Sequence, residues 1–277
     1  MVSAAELQNG RFLRDAANDP TGERAFLGVS ALVFATSATV TIVWCGSMSA
    51  MGMPMPSGWT MSMAWMRMPG QTWPAAAASF VGMWLVMMVA MMLPSLVPML
   101  RRYRNAVDRR GETRRGWLTT LVGAGYFFVW IVFGLAAFAV GVALASIEMR
   151  QSALARAAPI AAGVVVLAAG AIQLTTWKAN RLACCREAHV HGSTLTQDAG
   201  TALRHGLRLG LDCGYCCADL TVVLLAIGVM DLGAMAAVTA AINAERLVPG
   251  GERVARAVGY LVVGQGMFLI ARAAGLA

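Results

Sequence analysis

Charge is what this sequence has least of. Only 13% of its 277 residues are Asp, Glu, Lys or Arg, against roughly 25% in a soluble domain, while 58% are hydrophobic. That balance excludes a water-soluble globular protein. It also excludes disorder, which needs low hydrophobicity and high charge. Histidine is scarce too: His189, His191 and His205 are the three in the chain, and they do not resemble a histidine-rich oxygenase site. The N-terminus lacks the basic start and early apolar core of a cleaved secretory signal. Instead Glu6, Asp15, Asp19 and Glu23 are mixed with Arg11, Arg14 and Arg24 before any apolar run. No internal repeat suggests a two-fold transporter. Lysine occurs once, as Lys178; we take the arginine bias to reflect GC-rich coding and read no chemistry from it.

What is present is a series of apolar runs: Ala25–Cys45, Ala75–Leu100, Trp117–Ile147, Pro159–Trp177, Gly214–Ile242 and Val254–Ile270. A spanning helix needs about 20 such residues. The fold expected is therefore all-α, a polytopic transmembrane helical bundle of six spans. Asp231 and Gly233 interrupt the fifth run, so the alternative is seven spans, with two segments meeting at Asp231. The organisation reads as a cytoplasmic N-terminal segment, 1–24, followed by one transmembrane helical domain, 25–277.

Basic residues set the orientation. Arg101, Arg102, Arg104, Arg109, Arg110, Arg114 and Arg115 crowd the connection 101–116, which the positive-inside rule assigns to the cytoplasm. The connection 178–211 returns there, with Lys178, Arg181, Arg186, Arg204 and Arg208. Segment 46–74 has Arg67 as its one charge and lies outside. The net charge of +8 is thus a topology signal and not a nucleic-acid footprint. The expected location is a bacterial cytoplasmic (inner) membrane with the N-terminus inside, and the first partner is the lipid bilayer.

Sulfur is abundant. Eight of the nineteen methionines fall in the outer loop: Met48, Met51, Met53, Met55, Met61, Met63, Met66 and Met68. Pro54, Pro56, Pro69, Gly52, Gly58 and Gly70 prevent a long regular helix there. Soft thioether sulfur selects Cu(I), and the M-x-M pairs favour copper contact. Adaptable packing on the bilayer is the competing reading, supported by Trp59, Trp65 and Trp73, since tryptophan favours the interface. The second run continues with Met83, Met87 and Met91 at spacing four, and with Met88 and Met92 beside them. That spacing lines one helix face. It fits a soft-metal ladder or simple packing equally.

Of six cysteines, Cys45 stands alone and reads as a small buried apolar residue. The other five, Cys184, Cys185, Cys213, Cys216 and Cys217, fall at the cytoplasmic ends of two spans and can share a site. Structural disulfides are not expected in a reducing compartment. Three thiols in five residues suit a soft metal. Zinc with Cys and His is less favoured because the spacing matches no zinc finger, and a redox dithiol lacks its usual βαβ context. Asp219, one turn from the thiols, is the preferred acidic ligand candidate over Asp212, Asp231 and Glu245, an ionisable residue within a span being a functional candidate. Gln173 reads as an interhelical hydrogen-bonding group.

Several ordered motifs carry a family resemblance. They are Met83-Trp84 through Met87-Met88 and Met91-Met92 to Pro94, Gly125-Tyr126 with Trp130, Gln173 with Lys178 and Cys185-Arg186, Gly210 to Cys213 and Cys216-Cys217, and Gly228 to Leu232. Over about residues 75–260 the chain resembles a bacterial family of predicted metal-binding integral membrane proteins, a domain of unknown function. The resemblance implies metal binding and no particular reaction. Where that pattern has Cys, Trp and Asn, this chain has Arg181, Ala218 and Asp231, and Cys184 is the substitute for the thiol missing at 181.

The leading expectation is a membrane protein that captures Cu(I) at the external methionines and relays it to the cytoplasmic-side cysteines. It requires both clusters on one bundle axis. A copper chaperone or a partner membrane protein would be the exchange partner. The alternatives are a membrane subunit of a metal-dependent oxidase or oxygenase, and an assembly factor that donates copper.

Overall fold

The computed structural model describes residues 20–49, 53–54, 60–61, 65, 67, 70–108, 114–187 and 198–275. Among the described residues there are eight helices: α1 (Pro20–Ser49), α2 (Trp73–Asp108), α3 (Arg115–Arg150), α4 (Ser152–Gln173), α5 (Thr176–Glu187), α6 (Ala199–Ile227), α7 (Leu232–Leu247) and α8 (Gly251–Ala273). In the methionine loop Met53–Pro54 pairs antiparallel with Thr60–Met61. Six helices, α1, α2, α3, α4, α6 and α8, are long and apolar enough to cross a membrane. Their outward faces carry Leu32, Phe128, Val140, Val164, Leu261 and Phe268, all exposed, a surface compatible with insertion into hydrocarbon.

The fifth apolar run is broken where its acid stands. α6 ends at Gly228, whose φ of 139° few side chains tolerate. Asp231 then caps α7, its carboxylate accepting from the Ala234 amide at 2.8 Å. The acid inside the run is therefore a helix-start residue, which satisfies one of the orphan amides there. With 16 residues, α7 rises about 24 Å. The turn before it carries Met230, whose sulfur meets Cys45, and its last turn carries Arg246, which reaches Ser95 and Met99 of α2. The fifth run is therefore two helices, of which α6 is among the six long and apolar enough to cross a membrane and α7 is not.

α2 is the central helix, packed against α1, α3 and α7. Pro94 and Pro98 lie inside it, and the helix continues through both to Asp108. Proline is tolerated in such helices where the surrounding packing accommodates the freed backbone; between the two prolines the Ser95 hydroxyl donates to the Met92 carbonyl at 3.0 Å. At the arginine-rich end, Arg101 pairs with Glu23 of α1 and Arg104 donates to the Gly22 carbonyl at 3.1 Å.

α3 and α6 pack backbone to backbone through glycine. A Cβ on Gly206 would collide with the Val122 carbonyl, and one on Gly210 would lie 2.8 Å from the Tyr126 carbonyl. Small residues permit this approach between membrane helices. It fixes Tyr126 of α3 beside the cysteines of α6.

The stretch 178–211 is more helical than a polar connection. α5 occupies 176–187 and α6 begins at 199. Lys178, Leu182 and Cys185 are all buried on α5, spaced as one inward helix face.

Candidate metal centre

Three sulfurs converge at the heart of the bundle. Cys213 Sγ lies 3.9 Å from Cys217 Sγ, its neighbour one turn along α6, and 3.9 Å from Met92 Sδ on α2. All three residues are buried, Cys213 completely. Around Cys213 stand two donors. Tyr126 donates its hydroxyl to Cys213 Sγ at 2.9 Å, and Arg246 donates Nη1–H at 2.8 Å. Arg246 is itself held by Ser95 Oγ at 3.2 Å and Met99 Sδ at 3.6 Å. The guanidinium supplies the counter-charge that a buried thiolate needs, since an unpaired buried charge is costly.

The methionine stripe leads to this point. Met83, Met87, Met88, Met91 and Met92 are all buried within the bundle, so none of them lies on its outer surface. From Met83 to Met92 the helix rises roughly 14 Å. Met91 is also bound through its backbone, its carbonyl accepting from Asn243 Nδ2 of α7 at 3.0 Å.

A second group of polar residues lies beside the sulfurs. Lys178 of α5 is fully buried, and its ammonium donates to Asp219 Oδ1 and Oδ2 at 2.9 and 3.0 Å and to the Cys216 carbonyl at 2.6 Å. It also pairs with Glu245 of α7 at 3.3 Å, and Gln173 Nε2 of α4 donates to the same Glu245 carboxylate. One cation thus serves two carboxylates and ties α5 to α6 and α7. Gln173 makes the interhelical bond expected of it. Both oxygens of Asp219 face an ammonium.

α5, held this way, brings Cys185 Sγ against Cys216 Sγ, with the two Cα atoms 7.4 Å apart, farther than a disulfide spans without backbone movement. The juxtaposition comes from the fold-back of α5, which no spacing in the sequence reveals. Cys185 Sγ also lies 3.4 Å from the Asp212 carbonyl, and Cys216 Sγ 3.4 Å from the Arg181 carbonyl. Cys45, Cys213 and Cys217 are free. Cys45 is buried as read from the sequence, but its neighbour is a thioether, Met230 Sδ at 3.8 Å.

Other predicted ligands fall elsewhere or outside view. Met51, Met55, Met63, Met66 and Met68 lie outside the described residues, as do His189 and His191. Met53 and Met61 are register partners in the loop pairing. Met48 is in the last turn of α1, and Cys184 is on α5. His205 stacks on Tyr103 with ring centroids 5.5 Å apart, away from the sulfurs. Met92 was legible only as a companion of the stripe, and Arg246 was missed altogether. A basic residue directly after Glu245 at the end of an apolar run was the available signal.

Does this donor set suit copper? Among the described residues no group of three or more His, Cys, Asp or Glu is arranged to hold a metal ion; the sulfur cluster at Cys213 is completed by a methionine. Two sulfurs bound to one ion at about 2.3 Å each sit no more than about 4.6 Å apart, and both separations of 3.9 Å meet that bound. Thiolate and thioether are the soft donors that favour Cu(I). The set fits.

A bundle of apolar helices enclosing a soft-sulfur cluster defines the class: a helical protein with six helices long and apolar enough to cross a membrane and a sulfur cluster of copper-compatible donors. A family comparison specifies it further. Residues 81–269 match the model of the PpoB2 family, described as copper chaperone, and the chain belongs to that family. No curated protein and no solved structure matches it.

Proposed function

We propose that this protein is an integral membrane copper chaperone that receives Cu(I) from the methionine-rich loop and holds it at Cys213, Cys217 and Met92. The observation that carries this is the contact between the two sulfur systems. The methionine stripe of α2 ends with Met92 Sδ 3.9 Å from Cys213 Sγ, so thioether and thiol belong to one cluster. The copper ion is cargo. Thioethers are neutral and bind it weakly, whereas thiolates add charge, and the affinity rises inward from Met83 towards Cys213. Arg246 and Tyr126 hold the Cys213 sulfur oriented by donating to it, as outer partners orient metal ligands generally. Asp219 is assigned to holding Lys178, not to the metal. The loop methionines Met48, Met51, Met53, Met55, Met61 and Met63 are the capture station, and the receiving partner is a copper-dependent protein or a second chaperone. The N-terminus and the arginine-rich connection face the cytoplasm, following the positive-inside rule.

X-ray absorption of the Cu(I)-loaded protein in detergent tests this directly. The expected first shell is sulfur alone, with one sulfur fewer in Met92→Leu. A nitrogen and oxygen shell, or a spectrum indifferent to Met92→Leu and Cys213→Ser, would overturn the assignment.

A further inference from the structure

Cys185 of α5 and Cys216 of α6 take no part in the cluster at Cys213. Cys216 faces α5, its thiol donating to the Arg181 carbonyl at 3.4 Å, whereas Cys213 meets Met92 of α2. The Cys185 thiol donates to the Asp212 carbonyl at 3.4 Å. Both residues are buried, and their sulfurs are in contact across the two helices. Lys178 pins α5 in this place, its ammonium donating to the carbonyl of Cys216 itself at 2.6 Å. With Cα atoms 7.4 Å apart, the pair lies beyond the roughly 7 Å that a disulfide bridges. A metal ion spans more, since two thiolates bound in line at about 2.3 Å each stand about 4.6 Å apart. One side of the pair is open. A cleft of about 290 Å³ between α2, α5 and the end of α7 is lined by Cys185, Met99 and Leu182 among others, while Cys213 is fully buried. Arg246 also borders this cleft and donates to Cys213, so one side chain touches both the cleft and the first cluster.

From this arrangement we infer that Cys185 and Cys216 form a second Cu(I) site, separate from the one at Cys213 and open to the cleft. The donor count selects the ion. Among the described residues no third His, Cys, Asp or Glu is placed to complete a set, whereas structural zinc takes four ligands. Soft thiolate favours Cu(I), a closed-shell monovalent ion that accepts two donors in line. Binding displaces both thiol protons and leaves the ion between two thiolates, with no electron transferred. With two sulfurs against the three at Cys213, this site fills second and yields its ion more readily. The ion on Cys185 borders the cleft, where a thiolate of an acceptor can join it as a third ligand. The choice of copper rests on the function proposed above; the pairing of the two thiols does not.

The test uses the full-length reduced protein in detergent, dialysed to equilibrium against rising concentrations of buffered Cu(I). Bound copper is counted by mass spectrometry, and alkylation of Cys185 by iodoacetamide is followed in the same samples by peptide mapping. The wild type is expected to take up two ions, the first leaving Cys185 open to alkylation and the second blocking it. Cys185→Ser, Cys216→Ser and the double variant each bind one ion, because the two thiols act as a unit. That retained ion, lost in turn when Cys213→Ser is added, shows that each variant is folded. A wild type that saturates at one ion with Cys185 still alkylated, or a Cys185→Ser protein that keeps two, would overturn the inference. A single ion that blocks Cys185 and survives in Cys213→Ser would instead uphold this site and overturn the one at Cys213, so the two fail separately.

Discussion

Lys178 offers the sharpest test of how the centre is held. Its ammonium is buried with bonds to both Asp219 oxygens and to the Cys216 carbonyl, and it pairs with Glu245. Lys178→Met keeps the length and apolar stem but removes the charge, leaving two buried carboxylates of which only Glu245 keeps the Gln173 amide. Removing one partner of a buried ion pair costs about 3–5 kcal/mol. The expected loss is in that range, because the pair is inaccessible to water and the Cys216 carbonyl loses its donor as well. Replacing Asp219 by Leu in the same chain removes one orphaned charge, so Lys178→Met/Asp219→Leu is expected to be more stable than Lys178→Met alone, and its loss to fall short of the sum of the two single losses by about 0.5–3 kcal/mol of coupling. Reversible unfolding in mixed detergent and SDS measures both. If Lys178→Met lies within about 1 kcal/mol of the wild type, a surface-like value, the anchoring role is refuted. Strict additivity in the double variant would refute it too.

Three further outcomes follow from particular contacts. Gly206→Ala forces a methyl into the Val122 carbonyl; overpacking costs about 1–3 kcal/mol, and thermal unfolding of this variant in detergent should show it, with copper binding weakened as Tyr126 shifts. Asp231→Ala removes the cap of α7, and a loss of about 1 kcal/mol with copper affinity unchanged is expected in unfolding and titration experiments. Met51→Leu/Met53→Leu/Met55→Leu slows copper loading from outside in proteoliposomes but leaves the equilibrium copper content unchanged, a separation that stopped-flow loading and metal analysis together resolve.

Much of the bundle was legible because its long apolar runs are helical: four of the six lie within single helices, while Pro159–Trp177 passes the end of α4 into α5 and Gly214–Ile242 is divided between α6 and α7. Asp231 also signalled its own role, since an acid followed by glycine in an apolar stretch is either costly or a terminus. The paired thiols of α6 and the methionine stripe of α2 were visible as local patterns. Their meeting was not. Which of Met91 and Met92 touches Cys213 depends on how α2 rotates against α6, and that is set by the glycine contacts of α3 with α6 and by the Asn243 bond to the Met91 carbonyl. Likewise 178–211 looked polar by composition, because one apolar face with Leu182 and Cys185 is diluted by arginines on the other. The packing of α5 depends on Lys178 finding acids that are 41 and 67 positions later in the chain, a pairing with no local trace.

The central claim is that Cu(I) sits on Cys213, Cys217 and Met92. The most direct measurement is competition between the purified protein and a colorimetric Cu(I) chelator, with wild type beside Met92→Leu and Cys213→Ser. The account predicts tight binding in the wild type, about tenfold weaker binding in Met92→Leu, which keeps both thiolates, and release of the metal to the chelator in Cys213→Ser. Copper held equally well by all three proteins would contradict it.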